Sequence, residues 1–288
     1  MSDIHDHRRC ELGEGPLWHP LRQQLFWFDI KGRRLLTQSA EGPQEWHFAE
    51  MVSAAGWISR EELLIASEVS LFRFHLETGV RRDVVPLEAQ DLRTRSNDGR
   101  ADPQGGFWIG TMAKLEGAGL GPLGAIWRYY RGELRKLFAP IAISNAICFT
   151  PDGRTAQFTD TATGRVMRVA LDAQGWPKGA PSVFLDLSAE GLNPDGAVMD
   201  AAGVMWLAEW GAGRVAGYAP DGSRVQVVPF DVPHTSCPAF GGPGLATLYC
   251  TSALHGMSDA DRAAHPNAGK TFFAPDISVG QAEHQVIL

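Results

Sequence analysis

The chain has 288 residues, 44% of them hydrophobic and 20% charged, with a formal net charge of −7. That is enough apolar material for a sizeable core in one domain spanning residues 1–288, and the acidic balance, with no basic run longer than Arg33-Arg34 or Arg81-Arg82, argues against a nucleic-acid partner. No apolar run approaches the ~20 residues that cross a bilayer, and the polar start from Met1 to Arg9 lacks a secretory apolar stretch, so no membrane partner and a cytoplasmic location are expected.

In chain order, a turn signal followed by a short β-forming run recurs. His19-Pro-Leu-Arg-Gln precedes Leu25-Phe-Trp-Phe, and Ser59-Arg-Glu-Glu precedes Leu63-Leu-Ile-Ala. Asp102-Pro-Gln-Gly-Gly-Phe-Trp108 is matched by Asp200-Ala-Ala-Gly-Val-Met-Trp206, 98 residues on, with Pro151-Asp-Gly-Arg-Thr-Ala-Gln-Phe158 between them. Gly241-Gly-Pro-Gly precedes Thr247-Leu-Tyr-Cys. The six units start near residues 20, 60, 103, 152, 201 and 243, spaced 40, 43, 49, 49 and 42 apart. Only Ser258 to Ala264 reads as helical. Nine Trp and 32 Gly suit pleated cores joined by tight turns. The spacing predicts an all-β fold, a six-bladed β-propeller with four-stranded blades around a central channel. A stacked solenoid is the alternative, but its stricter residue code is missing. Ring closure is expected from Arg8–Leu12 joining a last blade built from Thr271–Ala274 and His284–Leu288. Cys10, Cys148, Cys237 and Cys250 form no CxxC pair and read as buried, reduced thiols.

In a propeller the innermost strands of all blades line one axis. The residues a few places before each turn are Glu14, Ser53 or Ala54, Asn97, Asn145, Asp195, and Thr235 or Ser236. Carboxylates and carboxamides are costly in such strands unless they meet a partner. Glu14, Asn145 and Asp195 together offer hard oxygen ligands for one divalent cation: Ca²⁺, Mg²⁺ or Mn²⁺, with Fe²⁺ or Zn²⁺ as further options. Singly, each reads as an ordinary turn or strand-end residue; their shared phase favours a site. No His occupies these positions, which argues against a three-histidine zinc site. Arg95 and Asn97 alternate onto one side of a strand, suited to carbonyl and hydroxyl oxygens, an internal salt bridge being the other use of Arg95. Asp98 is expected to point away and hold its turn. His19, His234 and His255 are weaker site candidates, because a lone His in a turn is usually solvated and no Ser-His-Asp spacing is present.

Leu12-Gly-Glu-Gly-Pro-Leu-Trp18, Arg95-Ser-Asn-Asp-Gly99, Gly105-Gly-Phe-Trp-Ile-Gly-Thr-Met112, Ile143-Ser-Asn145, Phe149-Thr-Pro-Asp-Gly153, Pro194-Asp-Gly196 and Cys237-Pro-Ala-Phe-Gly-Gly242 follow one another in order. From about Cys10 to the C-terminus the sequence resembles the regucalcin/gluconolactonase family, and within it bacterial aldonolactonases of pentose or hexose oxidation. The resemblance implies metal binding by Glu14, Asn145 and Asp195, contact of Arg95 and Asn97 with a small-molecule sugar lactone, and Asp195 as general base. A broader esterase or phosphotriesterase, or a metal-binding propeller without catalysis, are the alternatives. Two departures stand out. Ala146 replaces the glycine that usually follows the metal-binding Asn, and Gly119–Leu123 fills the stretch where some relatives carry a substrate-side Glu, Glu116 being the nearest acid.

Overall fold

Apolar runs of about six residues, separated by glycine turns, make short sheets that cannot each bury two faces alone. Packed radially, every sheet covers its neighbours. A computed structural model describes residues 2–114 and 121–288. Glu116 and Gly119 lie outside the described residues. The chain forms six four-stranded antiparallel sheets. The first blade runs Gly13–His19, Gln24–Asp29, Arg34–Ser39 and Gly42–His47. The first strands of the next five blades are Val52–Trp57, Thr94–Ala101, Ser144–Phe149, Asn193–Met199 and Thr235–Gly241. These six strands touch one another in a closed ring and line the axis. The six-bladed propeller expected from the spacing is the observed fold.

The Asp-x-x-Gly-x-x-Trp repeat has a physical cause. Asp102 Oδ1 accepts hydrogen bonds from the Gln104 and Gly106 amides, and its Oδ2 accepts one from Trp108 Nε1 at 3.1 Å. Asp200 does the same with the Ala202 and Val204 amides and with Trp206 Nε1 at 3.0 Å. One carboxylate thus shapes the turn and fixes a core indole on the following strand. Gly105 and Gly203 carry the turns at φ +90° and +83°, where a side chain is strained.

Closure departs from expectation. The outer strand of the sixth blade is Asp3–Asp6, paired with Thr271–Ala274. Arg8–Leu12 forms no strand, and only Leu12 makes an isolated bridge, to Ala253. The chain must pass from the outer edge of the sixth blade to the axis, where the first blade starts at Gly13, and these residues make that crossing. Residues 284–288 form no strand either. The C-terminal segment instead crosses the ends of the inner strands. Gln281 Nε2 donates to the Phe149 and Met199 carbonyls, the Val286 amide to Trp57 O, and the Ile287 amide to Gly105 O. Glu283 pairs with Arg100 inside the channel. One mouth of the channel is therefore covered by the chain's own end.

The helix expected over Ser258 to Ala264 is present as Asp259–Ala264, with Ser258 and Asp261 forming a reciprocal N-terminal cap. All four cysteines are buried and unpaired with one another, and burial pushes their thiols up. Among the described residues, no helix is long and apolar enough to cross a membrane.

Candidate active site

All six inner strands share one irregularity. Their ladders shift register just after the strand begins: between Glu14 and Leu17, Val52 and Ala54, Ser96 and Gly99, Asn145 and Cys148, Pro194 and Ala197, and Thr235 and Pro238. A bulge breaks pairing and re-aims side chains. Repeated at one level, it turns a ring of residues toward the open end of the channel. Gly15 and Ala146, directly after Glu14 and Asn145, adopt left-handed φ values of +54° and +55°. Ala146 therefore keeps the angle for which glycine is suited, at a local cost of about 1–2 kcal/mol. It is fully buried in the core between the fourth and fifth blades.

At that level lies a cavity of about 330 Å³, lined by Glu14, Arg95, Asn97, Asn145, Thr161 and Asp195, with Leu12, Met112, Ile143, Asn193, Trp210, His255 and Gly256 as its walls. Of the residues singled out from the repeat phase and the motifs, Glu14, Arg95, Asn97, Asn145 and Asp195 share this chamber, whereas Ser53, Ala54, Thr235 and Ser236 are not part of its lining.

The polar wall is wired in a definite order. Arg95 Nη1 donates to Asn97 Oδ1 at 2.7 Å. Asn97 Nδ2 donates to Ser144 O at 2.9 Å and to Asn145 Oδ1 at 3.0 Å. Asn145 Nδ2 donates to Thr161 Oγ1 at 2.9 Å, and Thr161 Oγ1 donates to Pro194 O at 2.7 Å. Arg95 and Asn97 lie on one side, as alternation requires. Both amide hydrogens of Asn97 are already given to protein acceptors, which leaves its oxygen as the group open to a further donor. Asp98 does not hold its own turn. Its Oδ2 accepts from the Ile147 amide of the next blade at 2.7 Å, fixing the bulge that follows Asn145.

Burial and mutual repulsion govern the carboxylates here. Burial is the main cause that pushes Asp195 well above the usual carboxylate range, with Glu14 and then Asp98 adding repulsion. Burial also raises Glu14, with Asp98 as the repelling neighbour and Arg95 opposing. Asp98 is pushed up to about 6 by burial. A cation would relieve this repulsion. Glu14 and Asp195 supply carboxylate oxygens, and Asn145 Oδ1 has a second lone pair beyond the one Asn97 uses. All are hard oxygen donors, and the set fits Ca²⁺, Mg²⁺ or Mn²⁺. Among the described residues, no group of three or more His, Cys, Asp or Glu could hold a metal; the third oxygen donor here is a carboxamide.

Of the three weaker histidine candidates, only His255 lines the cavity. His19 is fully buried at the far end of the first inner strand, its Nε2 2.9 Å from Ser59 O. His234 stacks on Trp210 with ring centroids 4.2 Å apart. His255 lines the cavity, with Lys31 Nζ 2.9 Å from its Nδ1. Sequence reasoning missed Thr161 and Trp210. A usable signal existed: antiparallel pairing sets the end of each second strand beside the start of the inner one, as in Ser144 opposite Asp160 and Asn193 opposite Trp210.

Residues 12–254 match the SMP-30/Gluconolactonase/LRE-like region. A Rhizobium meliloti protein provisionally named sugar lactone lactonase is 42% identical over 265 residues, covering 91% of this chain and 89% of its own. The L-arabinolactonase of Azospirillum brasilense is 33% identical over 282 residues, covering 95% and 91%. The crystal structure of a calcium-binding protein, regucalcin, from Agrobacterium tumefaciens superposes with a TM-score of 0.95 at 38% identity, over 100% of this chain and 98% of that one. The chain belongs to the SMP-30/gluconolactonase/LRE-like family.

Proposed function

We propose that this protein hydrolyses a sugar lactone to the corresponding aldonate in the 330 Å³ cavity, with one divalent cation held by Glu14, Asn145 and Asp195. The observation that carries the reading is the meeting of buried carboxylates with the Arg95–Asn97 pair in one chamber, in a chain whose relatives bear lactonase names. Bound there, the cation supplies Lewis-acid polarisation of the lactone carbonyl.

The chain's own groups do the rest. Asp195 accepts a proton from the attacking water as general base. The water oxygen bonds to the carbonyl carbon, the ring C–O bond breaks, and the proton passes to the departing ring oxygen. Arg95 donates to substrate oxygens and favours the charge that develops on the carbonyl oxygen. Asn97 Oδ1 accepts from a sugar hydroxyl and so orients the ring. Trp210, Met112 and Ile143 give the sugar an apolar face to lie against. The reading places the enzyme in pentose or hexose oxidation.

Asp195→Asn tests it. The expected result is loss of aldonolactone turnover in a protein that melts close to the wild-type temperature. Wild-type turnover in a folded Asp195→Asn variant would remove Asp195 from the mechanism. Aryl-ester hydrolysis without lactone hydrolysis would replace the substrate class.

A further inference from the structure

Thr161 belongs to none of the motifs that define the site, yet its hydroxyl joins two of the proposed ligands. It stands at the start of a single 3-10 turn, Thr161–Thr163, after the second strand of the fourth blade. Asp160 anchors that turn by accepting from the Ala142 amide at 2.8 Å and the Ile143 amide at 3.0 Å, on the loop entering the inner strand that carries Asn145.

The hydrogen count at this hydroxyl leaves one solution. Thr161 Oγ1 has a single proton, and it is donated to Pro194 O, which has none to return. Towards Asn145 the hydroxyl can therefore only accept, so the amide nitrogen of Asn145 must face it. The Asn145 oxygen is then turned away from Thr161, toward Asn97. The opposite end agrees independently: Asn97 Nδ2, held by Ser144 O, donates to that same Asn145 oxygen. Pro194 directly precedes Asp195, so one hydroxyl sets the aim of one proposed ligand and ties the backbone that carries another.

We propose that Thr161 is a positioning residue that orients the Asn145 carboxamide and fixes its spacing from Asp195 for cation binding. The inference rests on the reading of Glu14, Asn145 and Asp195 as cation ligands. Partners that orient metal ligands typically contribute ~10–100-fold to metal affinity. Thr161→Val keeps the shape and removes the hydroxyl, whereas Thr161→Ser keeps the hydroxyl and removes the methyl.

The test is calorimetric titration of the metal-stripped proteins with Ca²⁺ and, separately, Mn²⁺, alongside the melting temperature of each metal-free form. Thr161→Val is expected to bind ~10–100-fold more weakly while its metal-free form melts close to wild type, and Thr161→Ser to recover wild-type affinity. Should Thr161→Val fold poorly, Thr161→Ala against Thr161→Ser makes the same comparison. Equal affinity in wild type and Thr161→Val overturns the inference and leaves the ligand reading intact. Equal weakening in Thr161→Val and Thr161→Ser also overturns it, because the methyl and not the hydroxyl is then what matters. A wild-type protein that binds neither cation overturns both the inference and the reading beneath it.

Discussion

Glu14 and Asp195 line one cavity and both feel repulsion from buried Asp98, and each is held above the ordinary carboxylate range chiefly by loss of water. A carboxyl group whose folded-state pKa lies above its unfolded one binds protons more tightly when folded. Its contribution to stability is fully present below the unfolded value and fades as pH rises toward the folded one. The metal-free protein is therefore expected to lose stability from these groups as pH rises from about 5 to 8. A divalent cation competes with those same protons, so its stabilising effect should grow over the same window. Melting curves with and without Ca²⁺ at pH 5.5 and pH 8 check this. A metal-induced shift that is larger at pH 5.5 would contradict it. In the proposed reaction Arg95 would meet substrate as a charged donor, and such hydrogen bonds contribute roughly 1.5–3 kcal/mol. Arg95→Ala should then reduce kcat/KM by about 10- to 150-fold, read from initial rates on an aldonolactone. At this scale Glu14, Asn97, Asn145 and Asp195 were legible because the repeat phase puts them at one level. Thr161 and Trp210 were not: Trp210 ends the second strand of the fifth blade and Thr161 directly follows that of the fourth, whereas the repeat phase marked only positions on the inner strands. Asp98 stays out of the cavity lining, as alternation expects, but it braces the Ile147 amide of the next blade, a contact that local sequence does not reveal.

The elements are built from a turn that reports on its own core. Asp200 satisfies two backbone amides and one indole in the fifth blade, and also accepts from Ser278 Oγ at 2.7 Å. Asp200→Ala leaves these buried donors without partners, which costs about 1–3 kcal/mol for such a group. Urea unfolding is expected to show a loss at or above that range; an unchanged midpoint would mean that the turn holds without its carboxylate. The blades themselves were legible from this motif and from the Gly-marked turns. The terminal strand was assigned too late in the chain. Local β-propensity in Arg8–Leu12 and His284–Leu288 gives no hint that the first must cross to the axis and that the second lies across strand ends. Those are demands of ring geometry, which no short window of sequence contains.

Across the whole molecule, the two mouths of the channel have different occupants. The open mouth holds the carboxylates, Arg95 and the cavity. The other is closed by residues 280–287, which bond to the ends of inner strands in separate blades. Arg100 sits between, buried, with Glu283 as its carboxylate. Removing one partner of a buried ion pair strands the other and costs about 3–5 kcal/mol. Glu283→Ala is expected to lower stability by that order in chemical unfolding. Unchanged stability in the variant would reverse this assignment.

In the proposed reaction the chain's own base opens a lactone ring at the first of these mouths, where a cation would be held by oxygen ligands. A pH-stat assay of the metal-stripped protein on five- and six-carbon aldonolactones measures it directly, with Ca²⁺, Mg²⁺, Mn²⁺, Fe²⁺ and Zn²⁺ restored in turn. Acid release should be at the uncatalysed rate in the stripped protein and return with at least one cation, and Asp195→Asn should stay silent with all of them. Full lactone turnover by the stripped protein, or none with any cation, would contradict the account.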